Sequence, residues 1–185
     1  MISQFLDGLV FKIQQKRIRK YLNEQKLTSA SVLDLGCGYG WYSQLFDGHY
    51  TGIDNDADRL AVARKKYADK NFLEMSADTL AFPGQSFDLV VSFLVLHHLT
   101  SDQLEKAIKE VKRVLRPGGR FLVLDLVVPD RLSALVRPLM WLDNAERRKS
   151  SQLADLFQKS GFQITEQSEK SRGIFSTAFF ATIKS

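Results

Sequence analysis

The chain reads as an α/β protein with a mostly parallel seven-stranded sheet, helices on both faces and an antiparallel C-terminal hairpin. Three observations predict this. Short apolar runs alternate with helically spaced segments along most of the 185 residues, and such alternation builds parallel strands covered on both faces. The last two apolar runs, 162–168 and 174–183, are separated only by Lys170-Ser171-Arg172-Gly173. That is too short for a parallel crossover, so they pair antiparallel at one edge. The first strand runs into a loop with glycines at alternate positions, Gly36, Gly38 and Gly40. Ligands of open α/β sheets bind at such carboxyl strand ends.

In chain order, residues 1–26 hold six basic residues (Lys12, Lys16, Arg17, Arg19, Lys20, Lys26) against Asp7 and Glu24, a net +4 of the chain's +5. Phe5, Leu6, Leu9, Val10 and Ile13 recur at helical spacing, which predicts an amphipathic helix with a basic C-terminal half. It is read as a packed helix with a solvated charged face, or as a lid, or as a contact with anionic lipid or nucleic acid. Strands are expected at 31–35, 50–53, 71–75, 87–93 and 119–127, besides the final pair. Helices are expected at 41–47, 56–69, 101–115 and 151–160. In 101–115, Leu104, Ala107, Ile108, Val111, Val114 and Leu115 share one face behind Ser101 as N-cap, and Arg116-Pro117-Gly118-Gly119 reads as a helix stop and tight turn. Between strand five and the last helix, residues 128–150 form an insertion in which Leu132, Leu135, Val136, Leu139 and Met140 are helically spaced among five basic residues. It is either a packed connector or a substrate cap.

Length and a 44% hydrophobic, 25% charged composition suit a single soluble domain over 1–185. One cysteine, Cys37, excludes an intramolecular disulfide and fits a reducing cytoplasm. No apolar stretch approaches the ~20 residues of a membrane span. Asp7 and Lys12 interrupt the apolar N-terminus, which argues against a signal peptide.

The glycine loop follows Val32-Leu33-Asp34-Leu35 and reads G-x-G-x-G. A dinucleotide fingerprint would place its third glycine one residue later, where this chain has Trp41, which counts against NAD. Asp54 ends the second strand 20 residues after Asp34. A carboxylate there accepts hydrogen bonds from ribose hydroxyls, so the ligand contains adenosine.

These residues carry a family resemblance. Val32-Leu33-Asp34-Leu35-Gly36-Cys37-Gly38-Tyr39-Gly40, Gly52-Ile53-Asp54, Phe82-Pro83 with Ser86-Phe87-Asp88-Leu89-Val90-Val91, Leu96-His97-His98-Leu99 and Arg113-Val114-Leu115-Arg116-Pro117-Gly118-Gly119 stand in the order and spacing of class I S-adenosylmethionine-dependent methyltransferases. The chain resembles most the small-molecule branch that includes ubiquinone- and menaquinone-biosynthesis C-methyltransferases. The resemblance covers about residues 30–127 and implies a Rossmann-like fold, S-adenosylmethionine as cofactor and S-adenosylhomocysteine as product. It implies that Asp34 and the loop Gly36, Cys37, Gly38, Tyr39 and Gly40 hold the methionine end. Asp54 then takes the ribose, Asn55 lies beside the adenine, Ala77 bounds the adenine edge and Phe93 lies under the cofactor. Where the family has Asp-Ala, this chain has Ser76-Ala77, so the adenine-amino contact falls to Ser76, Asp78 or water.

His97 and His98 follow the fourth strand. They are candidates for general base or acceptor contact, the alternative being a buried histidine that fixes the loop. Tyr39, Tyr42 and Asp125 are further candidates to face the acceptor or take part in its chemistry. Cys37 has no evident activating partner and reads as a small residue required between two glycines. No metal is expected, since the two histidines lack ligand spacing on a helix and there is no cysteine cluster. The Asn/Asp-Pro-Pro-Tyr/Phe run of base-amino methyltransferases is replaced by Ser92-Phe93-Leu94-Val95. The expected acceptor is a small molecule. RNA- or lipid-directed transfer, or cofactor binding without turnover, are the alternatives. The oligomeric state is not legible.

Overall fold

A computed structural model of the chain describes residues 2–128, 146, 148–172 and 175–184. Among them are strands β1 (Val32–Leu35), β2 (Tyr50–Asp54), β3 (Asn71–Glu74), β4 (Phe87–Phe93), β5 (Leu115–Val127), β6 (Phe162–Arg172) and β7 (Phe175–Lys184). They form one sheet in the order β3-β2-β1-β4-β5-β7-β6. The first five strands pair parallel, and β7 runs antiparallel to both β5 and β6. This is the sheet the sequence predicts, with its hairpin at one edge. Strand order reverses between β1 and β4, which opens a crevice at their carboxyl ends.

The α-helices among the described residues are α1 (Ile2–Glu24), α2 (Ala57–Lys66), α3 (Ser101–Val114) and α4 (Ser150–Lys159). Successive strand residues point to opposite faces, and each face has its own core. On one, Val32, Leu89, Val91, Leu122 and Leu124 pack with Leu60 of α2 and Ile18 and Leu22 of α1. On the other, Leu33, Leu35, Val90, Phe121 and Val123 pack with Leu104, Ile108 and Val111 of α3 and Leu153 and Phe157 of α4.

The structure departs from the sequence reading at five places. In α1 the buried positions include Phe11, Ile18, Tyr21 and Leu22, while Ile13 is 48% exposed. The helix is oriented by rings elsewhere in the chain: Tyr21 meets Phe179 edge-on, and the Arg17 guanidinium lies 4.2 Å over the Phe179 ring and pairs with Glu166 and Ser168. The expected helix at 41–47 is a 3-10 turn, Trp41–Leu45. It starts from Gly40 in the left-handed region, and Asp47 and Gly48 donate their N–H groups to Thr28, so the chain is drawn off before an α-turn can propagate. Helix α2 ends at Lys66, short of 69, where Tyr67 leaves helical geometry. Thr100, not Ser101, caps α3 in a reciprocal capping box with Gln103. The turn expected at 116–119 lies within β5: Leu115 already pairs with Phe87, and the register shifts before Leu89 pairs with Arg120, so these residues form a bulge. The helically spaced residues 132–141 of the insertion lie outside the described residues.

Candidate cofactor and active site

The loop after β1 sits in the crevice and is tied to β2. Cys37 donates its N–H to the Ile53 carbonyl at 2.9 Å, and Gly38 donates to Asp54 Oδ2 at 2.8 Å. Gly36 and Gly38 have φ of +67° and +50°, a region L side chains rarely adopt. A Cβ on Gly36 would also lie 2.5 Å from Val95 Cγ2, so the glycine lets the loop press against the chain leaving β4. At Gly38 the nearest atoms to such a Cβ are 3.9 Å away or more, which leaves that backbone open to a ligand.

Loop and strand ends enclose a cavity of about 460 Å³. Gly36, Cys37, Gly38 and Tyr39 form one wall, with Asp54, Asn55 and Arg59 from β2 and α2 beside them. Ser76 and Ala77 line it after β3, and Phe93, Leu94 and His98 line it after β4. Of the residues singled out from sequence, Asp34, Gly40, Asp78, His97 and Asp125 stand outside the wall. Asp34 is buried in β1 and accepts a 2.6 Å hydrogen bond from Tyr50 Oη. Gly40 turns toward Phe72 and Tyr67. Asp78 accepts a hydrogen bond from Ser76 Oγ at 2.6 Å. His97 is 5% exposed, and its Nδ1 is 2.5 Å from Asp125 Oδ1.

The residues present fit an adenosyl sulfonium. Asp54 is buried at the cavity edge with one oxygen on Gly38 N–H and the other on Asp56 N–H at 3.0 Å. A carboxylate offers about four lone-pair sites, so two remain for two ribose hydroxyls. Ser76 spends its hydroxyl proton on Asp78, which leaves its oxygen as an acceptor. Tyr39, Trp41, Tyr42 and Phe93 add aromatic rings to the lining. Tyr42 and Phe93 rings lie 4.4 Å apart, and Phe11 of α1 meets Tyr42 edge-on at 5.2 Å and stacks on Trp41 at 6.2 Å.

Burial pushes the Asp34 carboxyl up to about 7; the Tyr50 hydrogen bond opposes this and the Asp54 charge adds to it. Burial, with Asp34 and Asp54 nearby, also raises Cys37 far above the ordinary thiol range. Burial thus disfavours the thiolate, the form a cysteine nucleophile needs. Leu94, a non-glycine residue in the cavity wall, has φ +63°, a strained conformation of the kind that concentrates at functional sites.

Sequence reasoning missed Arg59 and Arg148. Arg59 pairs with Asp56 at 3.0 Å and lies 5.6 Å from the Tyr39 ring; the Asp56-x-x-Arg59 spacing at a helix start is the signal that could have found it. Arg148 donates to the carbonyls of Leu96 and Leu99 at 3.3 and 3.0 Å, contacts with no local sequence signature.

The family model described as "Methyltransferase domain" matches residues 33–123. A demethylmenaquinone methyltransferase of Listeria welshimeri is 30% identical over 89% of this chain and 83% of its own length. A protein of Bos taurus named "Probable tRNA methyltransferase 9B" is 37% identical over 58% of the chain, which spans 23% of that protein's length. The crystal structure of PH0226 from Pyrococcus horikoshii shares the fold, with TM-score 0.78, 20% identity and coverage of 95% and 89% of the two chains. The chain belongs to the class I S-adenosylmethionine-dependent methyltransferases.

Proposed function

We propose that the chain transfers the methyl group of S-adenosylmethionine to a small aromatic acceptor of the demethylmenaquinol kind. The observation that carries this reading is the mixed lining of the cavity. Glycine backbone and the Asp54 carboxylate line it together with Tyr42, Phe93 and His98. When bound, the cofactor supplies a methyl group already activated on a sulfonium. The protein's work is then alignment and exclusion of water. Asp54 holds the ribose, the Gly36–Gly38 backbone holds the methionine end, and Asn55, Ser76 and Ala77 bound the adenine. Tyr42 and Phe93 offer ring faces to an aromatic acceptor. A ring nitrogen of His98 takes the acceptor's hydroxyl proton, which makes the acceptor electron-rich.

The acceptor reaches the cavity from an anionic lipid surface in this reading. Lys12, Lys16, Arg19 and Lys20 are exposed on α1, as is Ile13, and they follow Phe11, which packs on Trp41 and Tyr42, by one to nine residues. No helix among the described residues is long and apolar enough to cross a membrane. We place the protein in the cytoplasm, where its single thiol stays reduced.

The test is incubation with labelled cofactor and reduced demethylmenaquinone in phosphatidylglycerol-containing vesicles. Label in the quinol is expected, with vesicle binding that weakens as salt rises. Label in RNA instead, weakening steeply with salt, would replace the acceptor assignment; cofactor binding with no labelled product would replace the activity.

A further inference from the structure

We propose that Asp125, His97 and Arg148 are positioning residues that hold the His98 ring on the acceptor side of the cavity. The inference rests on the reading of His98 as the group facing the acceptor. Asp125 is 1% exposed in β5, within a run of buried apolar residues. A carboxylate there is costly unless it is hydrogen-bonded, and its partners are the Leu126 N–H at 2.9 Å and His97. A carboxylate only accepts, so the Nδ1 proton belongs to His97 and the ring's orientation is fixed. The His98 ring lies against that fixed ring, with centroids 4.0 Å apart.

The turn that carries both histidines, Leu96–His98, is a single 3-10 turn whose own backbone bonds run from His98 N–H to Val95 and from Leu99 N–H to Leu96. Arg148 braces its other side. Its side chain is 13% exposed and donates to the Leu96 and Leu99 carbonyls and to Ser101 Oγ, while Glu146 holds the guanidinium at 2.8 Å. The Arg148 carbonyl accepts the Val128 N–H at 3.0 Å, which anchors the brace to the end of β5. The turn is thus gripped by β5 through Asp125 and by the chain entering α4 through Arg148. The groups assigned to the cofactor, Gly38 and Asp54, sit on other elements, so the grip separates acceptor geometry from cofactor affinity.

The experiment compares Asp125→Ala, Asp125→Asn and Arg148→Ala with the wild-type chain. Displacing a reacting group by about 1 Å costs on the order of 100-fold in rate. Asp125→Ala and Arg148→Ala are therefore expected to slow single-turnover methylation of demethylmenaquinol roughly 10- to 100-fold. Calorimetric affinity for S-adenosylhomocysteine should stay within about threefold. Asp125→Asn, which keeps an oxygen for His97 Nδ1–H, should recover most of the rate. A wild-type rate in Asp125→Ala, an equal loss of cofactor affinity, or no recovery in Asp125→Asn overturns the proposal. The His98 ring resonances, read by NMR in the cofactor complex, decide the matter even if the quinol is refused and the functional reading falls. They should shift or broaden in Asp125→Ala and return in Asp125→Asn. Unchanged resonances in Asp125→Ala overturn the positioning role alone.

Discussion

Asp34 makes folding stability depend on pH in a direction opposite to most carboxylates. Burial raises its folded-state value from the ordinary 3.8 to about 7. Between those values the folded protein keeps a proton that the unfolded chain has released. The native state then binds more protons than the unfolded state, so stability falls as pH rises. The contribution is fully present below about 4 and lost by the time pH has passed about 7. About three pH units of retained proton correspond to an upper value of about 4 kcal/mol. For a chain of this size that is roughly 8–16 °C in melting temperature. Asp34→Asn replaces the carboxyl by a neutral amide whose oxygen still accepts from Tyr50 Oη. Thermal melts of the two proteins from pH 5 to pH 8 give the test, since every other titrating group is common to both. The wild type should lose stability relative to Asp34→Asn as pH rises. Parallel curves, or a variant that falls away faster, would refute the reasoning.

Asp54→Ala should weaken S-adenosylhomocysteine binding by ~3–6 kcal/mol, two charge-assisted hydrogen bonds at ~1.5–3 kcal/mol each; calorimetry showing unchanged affinity in a folded protein would remove the ribose assignment. Gly40→Ala should destabilise by roughly 1–3 kcal/mol, because its Cβ would lie 2.9 Å from the Phe72 ring at a φ of +74°; a denaturant midpoint equal to wild type would contradict this.

The mostly parallel sheet and its antiparallel hairpin were legible because apolar runs alternate with helical segments until the last two strands, whereas the spatial order of the strands was not. The position of Asp54 at the end of β2, beside the glycine loop, was legible as well, since it depends on spacing along a single β-loop-β unit. The two histidines were not separable in the sequence. They are adjacent and chemically identical, yet His97 is buried and His98 exposed, because Asp125 lies on the far strand of a pairing that crosses 28 residues. The face of α1 escaped for the same reason: hydrophobic spacing favoured Ile13, while the docking rings Trp41, Tyr42 and Phe179 chose Phe11 and Tyr21. Arg148 was visible only as one basic residue among several.

The hydrogen bond from Val128 to Arg148 has an evolutionary consequence. It brings together the two chain ends that flank 129–147, so that stretch departs from and returns to one point on the scaffold. Closing such a loop costs only ~0.6 kcal/mol more for each doubling of its length. Segments of different length and composition can therefore be spliced between Val128 and Glu146, the partner of Arg148, while the sheet, the glycine loop and Asp54 stay unchanged. The residues that line the cavity, from Gly36 to Gln103, lie outside that stretch, so such a splice leaves the cavity lining itself in place.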